Sequence, residues 1–208
     1  MLVDGEPEDL DVAVDRVERF YAEAGQPSIF LVSTASTPPV VRDHLVSRGY
    51  ESSADTWVLS RTVPAEQAEP SEWNVVVSPE PDAKWFDAYW EFDGGGRSMA
   101  DAHTLREVLL RPAAPAAFVA VEEPTGTVVA VGQVVVADSW GCIQCLATRP
   151  EVRRRGAGRA AVNALIDEAV RLGATGLVAA VMADNDASLG LFQQLGFERS
   201  HQYSYYRA

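Results

Sequence analysis

The feature that most restricts this chain is the run Arg153-Arg154-Arg155-Gly156-Ala157-Gly158-Arg159-Ala160, taken together with what flanks it. Trp140 to Thr148 reads as a strand closed by Arg149-Pro150, and Ala160 to Leu172 reads as an apolar helix. A glycine-rich loop therefore leads from a strand into a helix N-terminus. The orphan N–H groups of a first helical turn and the positive end of the helix dipole converge at such a place, which makes it an anion site. Gly156 and Gly158 carry no Cβ to hold a phosphate away from the backbone. The arginines add fixed charge and forked donors. A basic surface turn would use the same residues, but strand, loop and helix in this order favour the anion site.

The loop is not a P-loop, because no Gly-Lys-Ser/Thr follows, and it is not G-x-G-x-x-G, because it has two glycines only. It reads R-x-x-G-x-G. The segment Leu146-Ala147-Thr148-Arg149-Pro150-Glu151-Val152-Arg153-Arg154-Arg155-Gly156-Ala157-Gly158 resembles the coenzyme A pyrophosphate loop of the GCN5-related N-acetyltransferases (GNAT). Downstream, Asn185-Asp186-Ala187-Ser188-Leu189-Gly190-Leu191-Phe192-Gln193-Gln194-Leu195-Gly196-Phe197 is similar to the family's Asn-x-x-(small)-x-x-Leu-Tyr-x-x-x-Gly-Phe helix. The resemblance runs from roughly Glu72 to Ala208.

The resemblance implies the α/β GNAT fold: a mixed, mostly antiparallel central sheet, splayed between its fourth and fifth strands, with helices on both faces. By position those two strands are Gly141–Thr148 and Thr175–Ala183. It implies acetyl-CoA as cosubstrate, no metal, and a small-molecule or peptide amine as acceptor. Leu146, Ala147 and Thr148 match the positions whose backbone meets pantetheine and the acetyl carbonyl. Arg153, Arg154, Arg155, Gly156, Ala157, Gly158 and Arg159 match the pyrophosphate loop, and Asn185 matches a coenzyme-contacting asparagine, with a helix N-cap as its equal alternative. The implied reaction is direct attack of a neutral amine on the thioester, so a base or a water chain must take the proton. Glu91 and Asp93 lie near a break between helices where the family often places substrate contacts; solvated surface acids are the other reading, and no base is assigned. Phe192 stands where many members carry a tyrosine that protonates the departing thiolate. That departure leaves three possibilities: a slow enzyme, an enzyme with a substitute donor such as Ser188, Tyr203 or water, or a non-catalytic acyl-CoA-binding or regulatory module.

Composition narrows the function class. The chain has 208 residues, 47% hydrophobic and 23% charged, as in globular proteins. No apolar run reaches about 18 residues, so no membrane span is expected. The acidic start is unlike a signal peptide, which suggests a cytoplasmic protein; a monomer or homodimer is expected. A net charge of −13 argues against nucleic acid as a partner. It is compatible with attracting a cationic amine, although solubility alone explains it more simply. Cys142 and Cys145 fall within one strand, where residues three apart are expected on opposite faces and cannot easily pair or chelate. His44, His103 and His201 are scattered, so no metal site is expected.

Read in order, the chain suggests three regions. Residues 1–63 run helix (Leu10–Ala24), strand (Ser28–Thr34), helix (from Pro38 or Pro39 to Arg48), strand (Thr56–Thr62). This outline repeats the last third: Gly49-Tyr50-Glu51 matches Gly196-Phe197-Glu198, which suggests a degenerate GNAT-like half-domain. Residues 64–71 read as a linker, and 72–208 as the GNAT domain. Within that domain Trp73–Ser78 reads as a strand. Asp82–Phe92 reads as a helix whose Trp85, Phe86, Tyr89 and Trp90 form a core stripe. After a break at Asp93–Arg97, Ser98 caps a helix to about Leu110. A hairpin of Phe118–Glu122 and Thr127–Ala137 follows, then the loop region, a helix at Ala187–Leu195, and one or two strands over Glu198–Arg207.

Overall fold

A computed structural model describes residues 9–63, 71–93, 99–109 and 111–208. The first eight residues, nearly all of the expected linker, the glycines after Asp93 and the Ser98 cap lie outside the described residues. The chain runs α1 (Leu10–Glu23), β1 (Ile29–Ser33), α2 (Pro39–Ser47), β2 (Glu51–Thr62), β3 (Asn74–Ser78), α3 (Ala83–Asp93), α4 (Met99–Leu109) and β4 (Ala116–Glu122). It continues with β5 (Val128–Ala137), β6 (Trp140–Thr148), α5 (Ala157–Arg171), β7 (Gly176–Met182), α6 (Asp186–Gln194) and β8 (Glu198–Arg207). The result is a mixed α/β fold, as the sequence implies. Two compact units form, residues 60–179 and residues 1–59 with 180–208, with boundaries falling inside β2 and β7. Residues 180–208 thus group with the N-terminal segment.

In the unit of residues 60–179, β3, β4, β5 and β6 pair antiparallel in that order, and β7 adds parallel to β6. The central strands are buried on both faces, which explains why β4 and β5 read as almost unbroken apolar runs. Adjacent residues on β5 show what covers each face. Val131 joins a cluster with Trp85, Tyr89, Phe118 and Leu109, so α3 and α4 lie on its side. At Gly132 a Cβ would lie 2.7 Å from Leu165 of α5, so α5 lies on the other. The aromatic stripe of α3 is core, as expected. Trp85 stacks edge-on against Phe118 at 5.2 Å, and its ring N–H donates to the Val119 carbonyl at 2.9 Å, so even its polar tip is satisfied. Asp82 caps α3 by accepting from the Trp85 N–H at 2.7 Å.

In the other unit β8 lies between β1 and β2, and β1 pairs antiparallel with it from Ile29↔Arg207 to Ser33↔Tyr203. Glu198–Arg207 is therefore one strand, where one or two were expected. Val14, Leu45, Tyr50 and Tyr206 form its core. Beside them the Arg48 guanidinium gathers Asp11, Asp15 and Glu18, three carboxylates along α1, at 3.3, 2.7 and 3.0 Å. β2 starts at Glu51, five residues earlier than the sequence suggested. Residues 51–55 are exposed, so they carry no apolar alternation to announce a strand.

Candidate functional site

The site begins where β6 parts from β7. Their parallel ladder runs from Trp140↔Gly176 to Ile143↔Ala179 and stops there, although β6 continues to Thr148. On its other edge β6 stays on β5, with Gln133↔Gln144, Val131↔Ala147 and Ala130↔Thr148. Ala147 and Thr148 are therefore paired on one edge only, Leu146 lies in the break between two β5 pairings, and buried backbone groups left on the other edge need partners. Between the pairings Gln133↔Gln144 and Val131↔Ala147, β6 holds one extra residue. Gly132 faces both Cys145 and Leu146, and Cys145 takes φ 53. This is a β-bulge, which bends the strand and shifts its alternation.

The bulge corrects the expectation for the cysteines. Val135, Gln133 and Val131 share one face of β5, so their partners Cys142, Gln144 and Ala147 share that face too. Cys145 also lies there, packed against the α3–α4 cluster with its Sγ 3.9 Å from Gln133 Oε1. Cys142 and Cys145 are thus on the same face, because the inserted residue undoes the alternation. Neither is in a disulfide, and desolvation by its surroundings raises the Cys142 thiol above its ordinary value. No group of three or more His, Cys, Asp or Glu able to hold a metal occurs among the described residues.

Beyond Thr148 the chain makes a short 3₁₀ turn, Pro150–Val152, with Val152 buried as its anchor. Arg154 then takes φ 65, and Gly156 takes φ 92, ψ −8, as the residue before α5. The helix starts at Ala157, three residues earlier than expected, so Ala157, Gly158 and Arg159 form its first turn. No side chain caps that turn, which leaves its N–H groups available to an anion. Arg154, Arg155 and Arg159 are exposed around it. Arg153 turns back instead, its Nε donating to the Thr148 carbonyl at 3.2 Å.

Trp73 was missed as a site residue. Its ring N–H donates to the Arg155 carbonyl at 3.3 Å, and the Arg155 guanidinium lies over the ring at 5.8 Å. It braces the turn from 82 positions away, and only the approach of β3 could reveal that. Arg149, also missed, lies over the Phe92 ring at 5.3 Å with Nη2 3.4 Å from Glu91 Oε2. Asp93 accepts from the Tyr89 hydroxyl at 3.0 Å. Both acids near the helix break are thus engaged with neighbours.

The structure brings Leu146 to Arg159 together on one continuous path. Asn185 belongs to the other compact unit, where its side chain caps α6 by accepting from the Ser188 N–H at 3.1 Å. On the same helix Phe192 is 3% exposed and meets Phe197 edge-on at 5.0 Å. Tyr203 stands edge-on to Tyr205 at 5.6 Å. No helix among the described residues is long and apolar enough to cross a membrane.

Comparison with known proteins identifies the family and the fold. The profile of the acetyltransferase (GNAT) family matches residues 83–197. The chain is 26% identical over 193 residues to YobR of Bacillus subtilis (strain 168), an uncharacterized N-acetyltransferase, covering 90% of this chain and 76% of that one. Among solved structures, a GCN5-related N-acetyltransferase from Kribbella flavida superposes with a TM-score of 0.73 at 18% identity, over 97% of this chain and 76% of its own. A tandem GNAT protein from the clavulanic acid biosynthesis pathway gives 0.75 at 12% identity, over 100% of this chain and 72% of its own. With the family profile covering more than half of its length, the chain belongs to the GNAT family of acetyltransferases.

Proposed function

We propose that the chain transfers an acetyl group from acetyl-CoA to the amine of a small molecule or peptide. The uncapped first turn of α5, entered through a positive-φ arginine turn just after β6 leaves β7, carries this function. The residues present fit the coenzyme's parts. The N–H groups of Ala157, Gly158 and Arg159, with the exposed side chains of Arg154, Arg155 and Arg159, suit a pyrophosphate. The unpaired edge of Leu146, Ala147 and Thr148 suits the amides of pantetheine, and an N–H on it suits an oxygen that gains negative charge. Arg153 and Gly156 shape the turn, and Asn185 is retained as a coenzyme contact beside its capping role.

Bound there, acetyl-CoA supplies an activated acetyl thioester. The amine reacts as the free base. Because Glu91 and Asp93 are engaged with Arg149 and Tyr89, its proton passes to water. Phe192 has no proton to give the departing sulfur. A thiol of ordinary pKa about 8.5 leaves without one far better than an alkoxide would. The same phenylalanine is what favours the second reading, a module that binds acyl-CoA without turnover. The N-terminal segment fits a degenerate GNAT-like half-domain, since α1-β1-α2-β2 repeats the order α5-β7-α6-β8. Calorimetric titration with acetyl-CoA, followed by thiol-release assays over a panel of amines, tests the proposal. Binding with turnover is the expected result. No binding would overturn the proposal, and binding without turnover of any amine would leave the second reading.

A further inference from the structure

Gln133 is 1% exposed in the middle of β5, where Val131, Val134, Val135 and Val136 are its neighbours. A buried amide in such a strand is unfavourable unless its polar atoms are paired, and a further valine would pack there without that demand. Its Oε1 accepts from Gln144 Nε2 at 2.7 Å, and the Cys145 thiol lies 3.9 Å from the same oxygen. With both groups on Oε1, Gln144 turns its NH₂ inward and its carbonyl oxygen outward. Gln144 is exposed, and its Oε1 has no partner among the described residues. It is also the first residue of β6 beyond the β7 ladder, and the bulge at Cys145 follows it. Gln144 stands two residues before Leu146 on β6, so its exposed side chain leaves the sheet beside the start of the edge that β7 no longer covers.

We propose that Gln144 positions the acceptor: its fixed carbonyl oxygen takes a hydrogen bond from an N–H of the incoming amine, and Gln133 is the buried clamp that holds it. This rests on reading Leu146 to Thr148 as the place of the thioester. An amide oxygen accepts a hydrogen bond but takes no proton at neutral pH, so Gln144 orients the amine without serving as its base. The acceptor class is a primary or secondary amine, which keeps an N–H for Gln144 while its lone pair points at the acetyl carbon. The amine nitrogen bonds to that carbon as the C–S bond breaks. The sulfur keeps the electron pair, and the amine proton goes to water.

The test uses the full chain with Gln144→Leu, Gln144→Glu and Gln133→Leu, and n-butylamine as the acceptor probe. Acetyl-CoA affinity, from calorimetry, is expected to stay at the wild-type value in all three. Losing one neutral hydrogen bond should raise the KM for n-butylamine about three- to tenfold in Gln144→Leu and Gln133→Leu. Gln144→Glu puts an ionisable carboxylate at the same point, so its pH–rate profile should gain an acidic limb that Gln144→Leu lacks. In ¹⁵N spectra the Gln144 side-chain amide signal should move when n-butylamine is added to the coenzyme A complex. If acetyl-CoA binds and turns over while KM, pH profile and amide signal are all indifferent to these changes, Gln144 does not face the amine and the inference fails alone. If the wild type does not bind acetyl-CoA, the proposed function fails with it.

Discussion

Gly156 and Gly173 bracket α5 and make a matched pair. Gly156 takes φ 92 just before the helix, and Gly173 takes φ 94 just after it. A Cβ at Gly156 would meet only Trp73 Nε1, at an ordinary 3.6 Å, and a Cβ at Gly173 would meet nothing within 4 Å. Alanine therefore fits in space at both, and its cost is the left-handed backbone, about 1–2 kcal/mol per residue. Both substitutions should lower unfolding stability in urea by that amount. Their effects on binding should differ. At Gly173 the strained turn lies beyond the last turn of α5, where its N–H donates to the Val170 carbonyl at 2.9 Å. At Gly156 any relaxation turns the N–H groups of Ala157, Gly158 and Arg159 away from a common point. If the strain is released that way, acetyl-CoA affinity falls by up to the same 1–2 kcal/mol, about 5- to 30-fold at about 1.4 kcal/mol per tenfold. Calorimetric titration of both variants reads this directly. Equal affinities in Gly156→Ala and Gly173→Ala, with both proteins destabilised, would refute the claim that the turn's backbone geometry makes the anion site.

Trp73→Leu removes the donor to the Arg155 carbonyl and the ring beneath its guanidinium, and should weaken acetyl-CoA severalfold in the same titration. Arg154→Glu should cost roughly 1.5–3 kcal/mol for each charge-assisted hydrogen bond it removes, and unchanged affinity would remove Arg154 from the site. Phe192→Tyr should raise kcat about tenfold, below the usual range for general acid catalysis because the ring is buried against Phe197, with acetyl-CoA affinity unchanged; no gain would place the proton donor elsewhere. Removing residues 1–63 strips β8 of its partner β1 and of the Ser53–Tyr205, Asp55–Ser204 and Thr34–Gln202 hydrogen bonds, so the melting temperature should fall. An unchanged melting temperature would mean that the N-terminal segment contributes nothing to the strand it pairs with.

How much could be read from the sequence depended on how local each feature is. The path from β6 through the arginine turn into α5 is contiguous, and each step has its own residue signal: an apolar run, glycines, then an amphipathic period. It was therefore legible, with an error of three residues at the helix start. Trp73 and Arg149 act through partners in distant elements, and nothing near either one marks the contact. The grouping of residues 180–208 with the N-terminal segment rests on β1 pairing with β8 across most of the chain, which no local pattern encodes.

The bulge in β6 is the case where a sound local rule gave the wrong answer. Strict alternation puts Cys142 and Cys145 on opposite faces, and one inserted residue reverses every side chain beyond it. Whether that insertion occurs is decided by register against β5, where Gly132 leaves room opposite Cys145 and Leu146 and lets Leu165 approach. The same insertion turns Leu146 toward Leu165 and Ala147 toward the aromatic cluster. It also brings Cys145 onto Gln133 beside Gln144. A regular β6 would send Cys145 to the α5 face and leave Gln133 Oε1 with one donor instead of two. The bulge thus sets the orientation of the Gln144 amide while β6 parts from β7. One irregularity in register links the open backbone edge to the group proposed to face the acceptor.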